Sequence, residues 1–245
     1  LQHPTPHIGI ITQARMTSSR LPGKIFKKAA GKSLLSFHTD RLKQTGFDVI
    51  IATTVNTTDD CICDFAQEQG LAFYRGDEQN VLSRFYGAAM EQKLDIIVRV
   101  TSDCPLIDQH LIRNNVERYM KLNNPNLYMS NSLERTFARG FDFEIFSFGL
   151  LKDAFTNATE ESDLEHVTPY IWKNRSKKTE LFHVKQPVNN SDLRITVDTA
   201  DDFELVRQLI ENYQAAGLAY NEIEAILRSH PELVSINSHI EQKKV

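Results

Sequence analysis

Cysteine is scarce in this sequence: Cys61, Cys63 and Cys104 are the only three in 245 residues. An odd count without framework spacing excludes a disulfide-stapled scaffold. Cys61-Ile-Cys63 has no second pair to complete a ligand set, which argues against zinc. The thiols are expected on helices, buried or half-buried. No apolar run approaches the ~20 residues that cross a bilayer, so no membrane partner is expected. No secretory leader is visible, the chain opening Leu-Gln-His without Met, and the expected home is the cytoplasm. Cationic excess is missing too: 28 Lys and Arg stand against 32 Asp and Glu, a net charge of -4. That excludes a general nucleic-acid binder, and the cations that matter must be local. Internal repeats, low-complexity segments and a G-x-x-x-x-G-K-[ST] phosphate loop are also absent. Gly31-Lys32-Ser33 resembles only the end of such a loop and reads as a turn and helix cap.

What is present is alternation. With 41% hydrophobic residues the chain can bury a sizeable core. Residues 8–12, 48–54, 71–75 and 95–101 read as strands. Residues 33–45, 58–69, 81–92 and 108–122 read as helices, with Thr58 or Asp59 capping the second and Gly70 ending it. Nearly continuous apolar strands joined by helices specify a parallel sheet covered on both faces. Residues 123–190 are less regular. Asn123-Asn-Pro-Asn126 is a turn, 127–130, 141–148 and 181–185 read as strands, and 150–157 and 164–174 as helices. Residues 193–197 return to a core-strand pattern, helices follow over 198–213 and 221–228, and a polar tail covers 235–245. The expectation is one α/β domain over 1–245, with a first half at 8–122, an irregular α+β subregion at 123–190 and a returning core strand with helices at 191–230.

Ligands of such sheets bind beyond the carboxyl ends of the strands, and three of those ends carry unusual residues. Gln13-Ala-Arg-Met-Thr-Ser-Ser-Arg-Leu-Pro-Gly-Lys24 places three cations after the first strand, among small residues whose N–H groups can face an anion. A solvated basic turn is the plainer alternative. Thr101-Ser-Asp-Cys-Pro-Leu-Ile-Asp108 puts Asp103 at the rim, where a carboxylate can hold Mg2+ against phosphate or simply cap a turn. Val197-Asp-Thr-Ala-Asp-Asp202 does the same for Asp198, although Thr199 and Asp202 equally form a helix cap. Together they specify one chemistry: cations for a polyphosphate and two rim carboxylates for a divalent metal.

The order of these motifs carries a family resemblance. Gln13-Ala-Arg through Lys24, Gly76-Asp-Glu with Val81-Leu-Ser-Arg-Phe-Tyr86, Thr101 to Asp108, Glu165-His-Val-Thr-Pro-Tyr170 and Thr196-Val-Asp-Thr199 resemble the cytidylyltransferases, above all the branch of spore-coat polysaccharide biosynthesis (SpsF-like) proteins. Enzymes that activate 3-deoxy-manno-octulosonate and acylneuraminates as CMP-sugars are relatives. The resemblance spans about residues 8–210. It implies a Rossmann-like sheet of the nucleotide-diphospho-sugar transferase type, with a nucleotide-binding first half and an insertion for sugar binding and homodimerisation. It implies that Arg15, Arg20 and Lys24 bind the triphosphate, Lys24 stabilising the transition state, and that Arg84 and Ser102 lie near the nucleotide. Backbone at Ala14 would approach the base. Asp103 and Asp198 would hold magnesium; Asp142, Glu144 and His166 would face the acceptor sugar. Gln13 stands where the octulosonate enzymes carry Pro. Ser102 replaces a Gly, Ser83 an acidic residue and Ala200 a Pro.

The implied reaction is attack of a sugar hydroxyl on the α-phosphorus of CTP, releasing pyrophosphate, for surface glycan synthesis. Positioning and electrostatics dominate such transfers, which fits the lack of a nucleophile–His pair. The acceptor expected is an acidic 2-keto sugar. Another NTP, a sugar phosphate, or a nucleotide-binding module without catalysis are the alternatives. A glycosyltransferase would want an Asp-x-Asp motif at a strand end, and no convincing one is present. His38 and His183 read as structural. Alternation in Phe141-Asp-Phe-Glu-Ile-Phe146 equally makes Asp142 and Glu144 the exposed face of a strand, and His166 equally suits a core or interface position.

Overall fold

Ile8-Gly-Ile-Ile-Thr-Gln13 is apolar toward both sides, and the structure, a computed structural model describing residues 5–241, buries it centrally in a seven-stranded sheet. In chain order the elements are β1 (Ile8–Gln13), β2 (Lys28–Ala29), β3 (Lys32–Ser33), α1 (Leu34–Lys43), β4 (Asp48–Thr54), α2 (Asp60–Glu68), β5 (Ala72–Gly76), α3 (Val81–Glu91), β6 (Ile96–Thr101) and α4 (Gln109–Leu122). Then come β7 (Leu127–Ser130), β8 (Glu144–Ser147), α5 (Phe148–Asn157), α6 (Glu161–His166), α7 (Pro169–Trp172), β9 (Glu180–His183), α8 (Ala200–Tyr213), α9 (Tyr220–Ser229) and α10 (Pro231–Ser235). The sheet order is β5-β4-β1-β6-β8-β7-β9. β5, β4, β1 and β6 run parallel, whereas β8 is antiparallel to both its neighbours. The irregular subregion thus extends the same sheet.

Successive β1 residues serve opposite faces, as the pleat requires. Ile10 joins a core with α1, α4, α8 and α9, while Ile11 joins one with α3, α5 and α7. Each such fully buried side chain is worth about 1.5–3 kcal/mol relative to exposure. Ala30 and Gly31, both at positive φ, turn β2 into β3, and Ser33 then caps α1 by accepting from Ser36 N. No described helix is long and apolar enough to cross a membrane.

Four expectations need correction. Of residues 141–148 only Glu144–Ser147 pairs in the sheet; the Asn131 amide donates to the Phe141 carbonyl and accepts from Phe143 N, replacing the ladder there. The helix expected over 164–174 is two short ones, α6 and α7, separated by Val167 at φ 71, with Pro169 opening the second. Residues 193–197 are buried and extended but lie outside the seven-stranded ladder. Their amides go to loop carbonyls instead, Ile195 N to Arg139 O at 2.7 Å and Val197 N to Asp103 O at 2.8 Å. Gly140 permits that approach, since a Cβ there would stand 2.9 Å from Thr196 N. Finally, Cys63 is buried on α2, but Cys61 is exposed, and buried Cys104 sits in the turn after β6 rather than on a helix. The tail begins with α10, and residues 242–245 lie outside the described part.

Candidate active site

The carboxyl ends of β1, β5 and β6 open into a cleft of about 460 Å³. Its first wall is the cationic loop after β1. Met16 O accepts from both Ser18 N and Gly23 N at 3.0 Å, so the loop folds back on itself. Gly23, at φ 64, makes the turn that presents Lys24. Two carboxylates from neighbouring strand ends tether the loop. Asp59, fully buried, takes Met16 N at 2.8 Å. Its side chain does not cap α2 as the sequence predicts. Glu78 takes Thr17 Oγ1 at 2.7 Å, Asn56 Nδ2 at 2.7 Å and Arg15 Nη1 at 3.2 Å. These bonds hold the Glu78 carboxyl below its usual range, the hydroxyl of Thr17 foremost.

Lys24 Nζ lies between the two rim carboxylates, 3.1 Å from Asp103 Oδ2 and 2.8 Å from Asp198 Oδ1. Arg20 and Arg194 reach Asp198 Oδ2 at 3.0 and 2.9 Å. Burial pushes the Asp103 carboxyl up, but the Lys24 ammonium and the Thr101 hydroxyl outweigh it and hold the pKa at about 2. Burial likewise opposes the Lys24 charge, and Asp103 and Asp198 overcome it to raise its pKa. Asp198 is aimed from behind: Arg194 also grips Asp202 through Nε at 2.8 Å, and Asp202 closes the capping box of α8 with Thr199. Asp103 is fixed through the next residue. His38, fully buried, meets Thr12 Oγ1 through Nε2 at 2.9 Å and the Cys104 carbonyl through Nδ1 at 2.8 Å. The carbonyl only accepts, so Nδ1 carries the proton and Thr12 donates to Nε2.

Arg84 enters the cleft from α3. It is 2% exposed, and its Nε and Nη1 have no hydrogen-bond partner among the described residues. Burial, then the charge of Arg15, lowers its pKa to about 10, so it remains a cation at neutral pH. A buried guanidinium short of partners is poised for an anion. Ala14 and Ser102 border the cleft as well. Both Ser102 N and Oγ donate to the Gln13 carbonyl, at 3.2 and 2.7 Å, so the hydroxyl braces β1.

His166 borders the cleft from the end of α6. The next residue, Val167, has φ 71 and ψ -51, and Thr168 N donates to the His166 carbonyl at 2.8 Å. This is a γ-turn of the rare, strained hand, carried by a β-branched residue. Burial, then Arg99 and Lys173, lowers the His166 pKa against the pull of Glu165. Asp142 and Glu144 do not border the cleft. Arg135 holds Asp142 in a fork, with Nη2–Oδ2 at 3.1 Å. Glu144 accepts from Arg99 Nη1 at 2.9 Å beneath the floor. The residues that the sequence reading missed are the tethers Asp59 and Glu78 and the clamps Arg194 and Arg99. Glu78 was within a quoted motif, and each Arg is a charge inside an apolar strand pattern.

Two carboxylate oxygens converging on one positive atom fit a small hard cation, with the Lys24 ammonium as its stand-in. No described cluster of three or more His, Cys, Asp or Glu side chains competes for it. A mostly parallel sheet with a cationic loop and paired acids at its strand ends places the chain among α/β proteins with a ligand cleft beyond the strand ends. The chain belongs to the cytidylyltransferase family: the family profile of that description matches residues 9–237. It is 35% identical over 240 residues to an uncharacterised protein of Methanocaldococcus jannaschii, covering 96% of each chain. It is 29% identical to the spore coat polysaccharide biosynthesis protein SpsF of Bacillus subtilis, over 91% of this chain and 94% of that one. A solved cytidylyltransferase from Leptospira borgpetersenii superposes with a TM-score of 0.90 at 30% identity, covering 98% of this chain and all of that one. The CTP complex of CMP:2-keto-3-deoxy-manno-octonic acid synthetase, at 18% identity and a TM-score of 0.60 over 83% of this chain and 98% of that one, shares the fold.

Proposed function

We propose that this cleft transfers CMP from CTP to a hydroxyl of an acidic 2-keto sugar, releasing pyrophosphate. The observation that carries this is Lys24 Nζ bridging Asp103 and Asp198 at the cleft floor, with Arg20 on Asp198 and Arg84 unpaired nearby. Arg15, Arg20, Lys24 and Arg84 bind the triphosphate, while Ala14 and Ser102 lie against the nucleoside. Charge that builds on the phosphoryl oxygens meets Lys24 in a site fixed before the reaction, where such contacts are strong. The sugar oxygen bonds to the α-phosphorus and its proton passes to solvent, while the pyrophosphate leaves with the electrons of the broken phosphorus–oxygen bond and is stabilised by the cations of the loop. Asp103 and Asp198 would hold Mg2+, which would supply Lewis-acid stabilisation of phosphate oxygens. His166 faces the acceptor. Asp142 and Glu144, assigned by resemblance to the sugar, act from outside the cleft, Glu144 through Arg99.

The proposed setting is the cytoplasm, where CTP is made, in synthesis of a surface polysaccharide. SpsF of Bacillus subtilis, named for spore-coat polysaccharide biosynthesis, supports that setting. A homodimer is the proposed assembly, resting on the family resemblance; sedimentation tests it. The decisive measurement is pyrophosphate release over four NTPs and a panel of 2-keto sugar acids with Mg2+. Turnover with CTP alone is expected. Preference for UTP or GTP, or CTP binding without pyrophosphate release on any sugar, overturns the reading.

A further inference from the structure

Gln13 closes β1 and borders the cleft, yet the implied chemistry assigns its side chain nothing. Arg99 Nη2 donates to Gln13 Oε1 at 3.1 Å. A guanidinium has no acceptor, so the carbonyl end of the amide must face Arg99 and the NH2 end must face away. Arg99 is itself fixed, by Glu144 Oε1 at 2.9 Å and by the Phe85 ring 5.6 Å beneath its guanidinium carbon. No described residue accepts a hydrogen bond from the Gln13 amide nitrogen. A half-buried donor with its orientation locked from behind is thus left facing the cleft.

Its direction distinguishes the two substrates. The cationic loop is tethered to the β4 and β5 side, through Asp59 and Glu78. The Gln13 side chain turns the other way, toward Arg99 on β6 and Glu144 on β8. Arg99 also lies close enough to His166 for its charge to reach that imidazole. Gln13, Arg99 and His166 therefore lie on the β6 side of the cleft, away from the tethers of the cationic loop.

The geometry points to Gln13 as a specificity-determining residue that donates from its amide to an oxygen of the acceptor sugar, with Arg99 as the positioning residue that sets the amide's polarity. This rests on the proposed CMP transfer. Donors fixed in this way favour substrates with a carboxylate or carbonyl at that point and leave a substrate without one paired to nothing.

The test is Gln13→Glu beside Gln13→Leu. The carboxylate of Gln13→Glu still accepts from Arg99, so the scaffold is kept while the donor is lost. Pyrophosphate release is measured with saturating CTP and varied 3-deoxy-manno-octulosonate or the best-used acid of the panel. CTP affinity is measured separately by calorimetry without sugar. Both variants should raise the sugar KM about 10–100-fold, the range for a lost bond to a charged group, with CTP affinity unchanged; the melting temperature should hold in Gln13→Glu and fall in Gln13→Leu, which takes the acceptor from Arg99. A sugar KM that stays at the wild-type value in Gln13→Glu, or a loss that falls on CTP affinity, overturns the role. Absence of pyrophosphate release by the wild-type protein on every sugar would instead overturn the transfer reading itself.

Discussion

The two sides of the cleft hold their charges in opposite ways. On the acid side every charge is answered: Asp198 touches Lys24, Arg20 and Arg194, and Asp202 is gripped by Arg194 and Asn237. On the phosphate side Arg84 is buried with two nitrogens unanswered. The acid side is built for fixed geometry, and Arg84, alone among the four cations proposed for the triphosphate, keeps hydrogen-bonding capacity in reserve. Substitutions on the two sides should therefore fail differently, one through turnover or folding and the other through ligand affinity.

The largest effect should come from Lys24→Ala, which removes the cation shared by the acids and, in the proposed reaction, a transition-state contact. Turnover should fall about 10²–10³-fold in a pyrophosphate-release assay; a value within threefold of wild type would separate the acid floor from the chemistry. Arg194→Met comes next. It strips a buried pair of its clamp and should cost about 3–5 kcal/mol of stability, read by chemical denaturation. Arg84→Met is its counterpart. It should weaken CTP binding about 10–100-fold by calorimetry while leaving the melting temperature unchanged or higher, because no bond is lost and a buried unpaired charge is removed. Equal destabilisation by the two arginine variants would erase the contrast between the sides.

Acid should weaken the fold in two stages. Burial outweighs the Cys104 carbonyl and Asp103 to lower the His38 pKa from 6.5 to about 4. The unfolded chain then binds the extra proton, so this contribution is full above pH 6.5 and lost as pH falls to about 4. It amounts to about 3 kcal/mol. Asp103 follows, its stabilisation present above 3.8 and lost as pH falls through about 2. Melting temperature against pH should show both steps, and His38→Gln should flatten only the first. The smallest effect is Val167→Gly: loss of a fully buried side chain costs about 1.5–3 kcal/mol, relief of the γ-turn returns about 1–3 kcal/mol, and the net change read by chemical denaturation should be small.

The parallel half of the fold was legible because its backbone bonds are made strand to strand, leaving side chains free to display a period. Residues 48–54 match their strand end to end, and so, outside that half, do 127–130. Where side chains complete the backbone, the period misleads. Asn131 does this for residues 141–143 and loop carbonyls do it for 193–197, so apolar alternation there marks burial without a ladder. Lys24, Asp103, Asp198 and Arg84 were visible as charges at strand ends or in quoted motifs, and the structure gathers them around one cleft. Arg99 and Arg194 were not, since their meaning lies in partners 45 and 86 residues away in one case and on the next helix in the other.

Arg84 also bears on how long the chain lasts. In the proposed reaction its two unpartnered nitrogens meet the triphosphate, which would make the ligand in effect the last piece of the core. A ligand taken by the folded chain and ignored by the unfolded one deepens the folded well in proportion to the logarithm of its concentration. Resistance to heat and to proteolysis should then follow the supply of polyanion, and a cell short of that substrate would hold less of the protein.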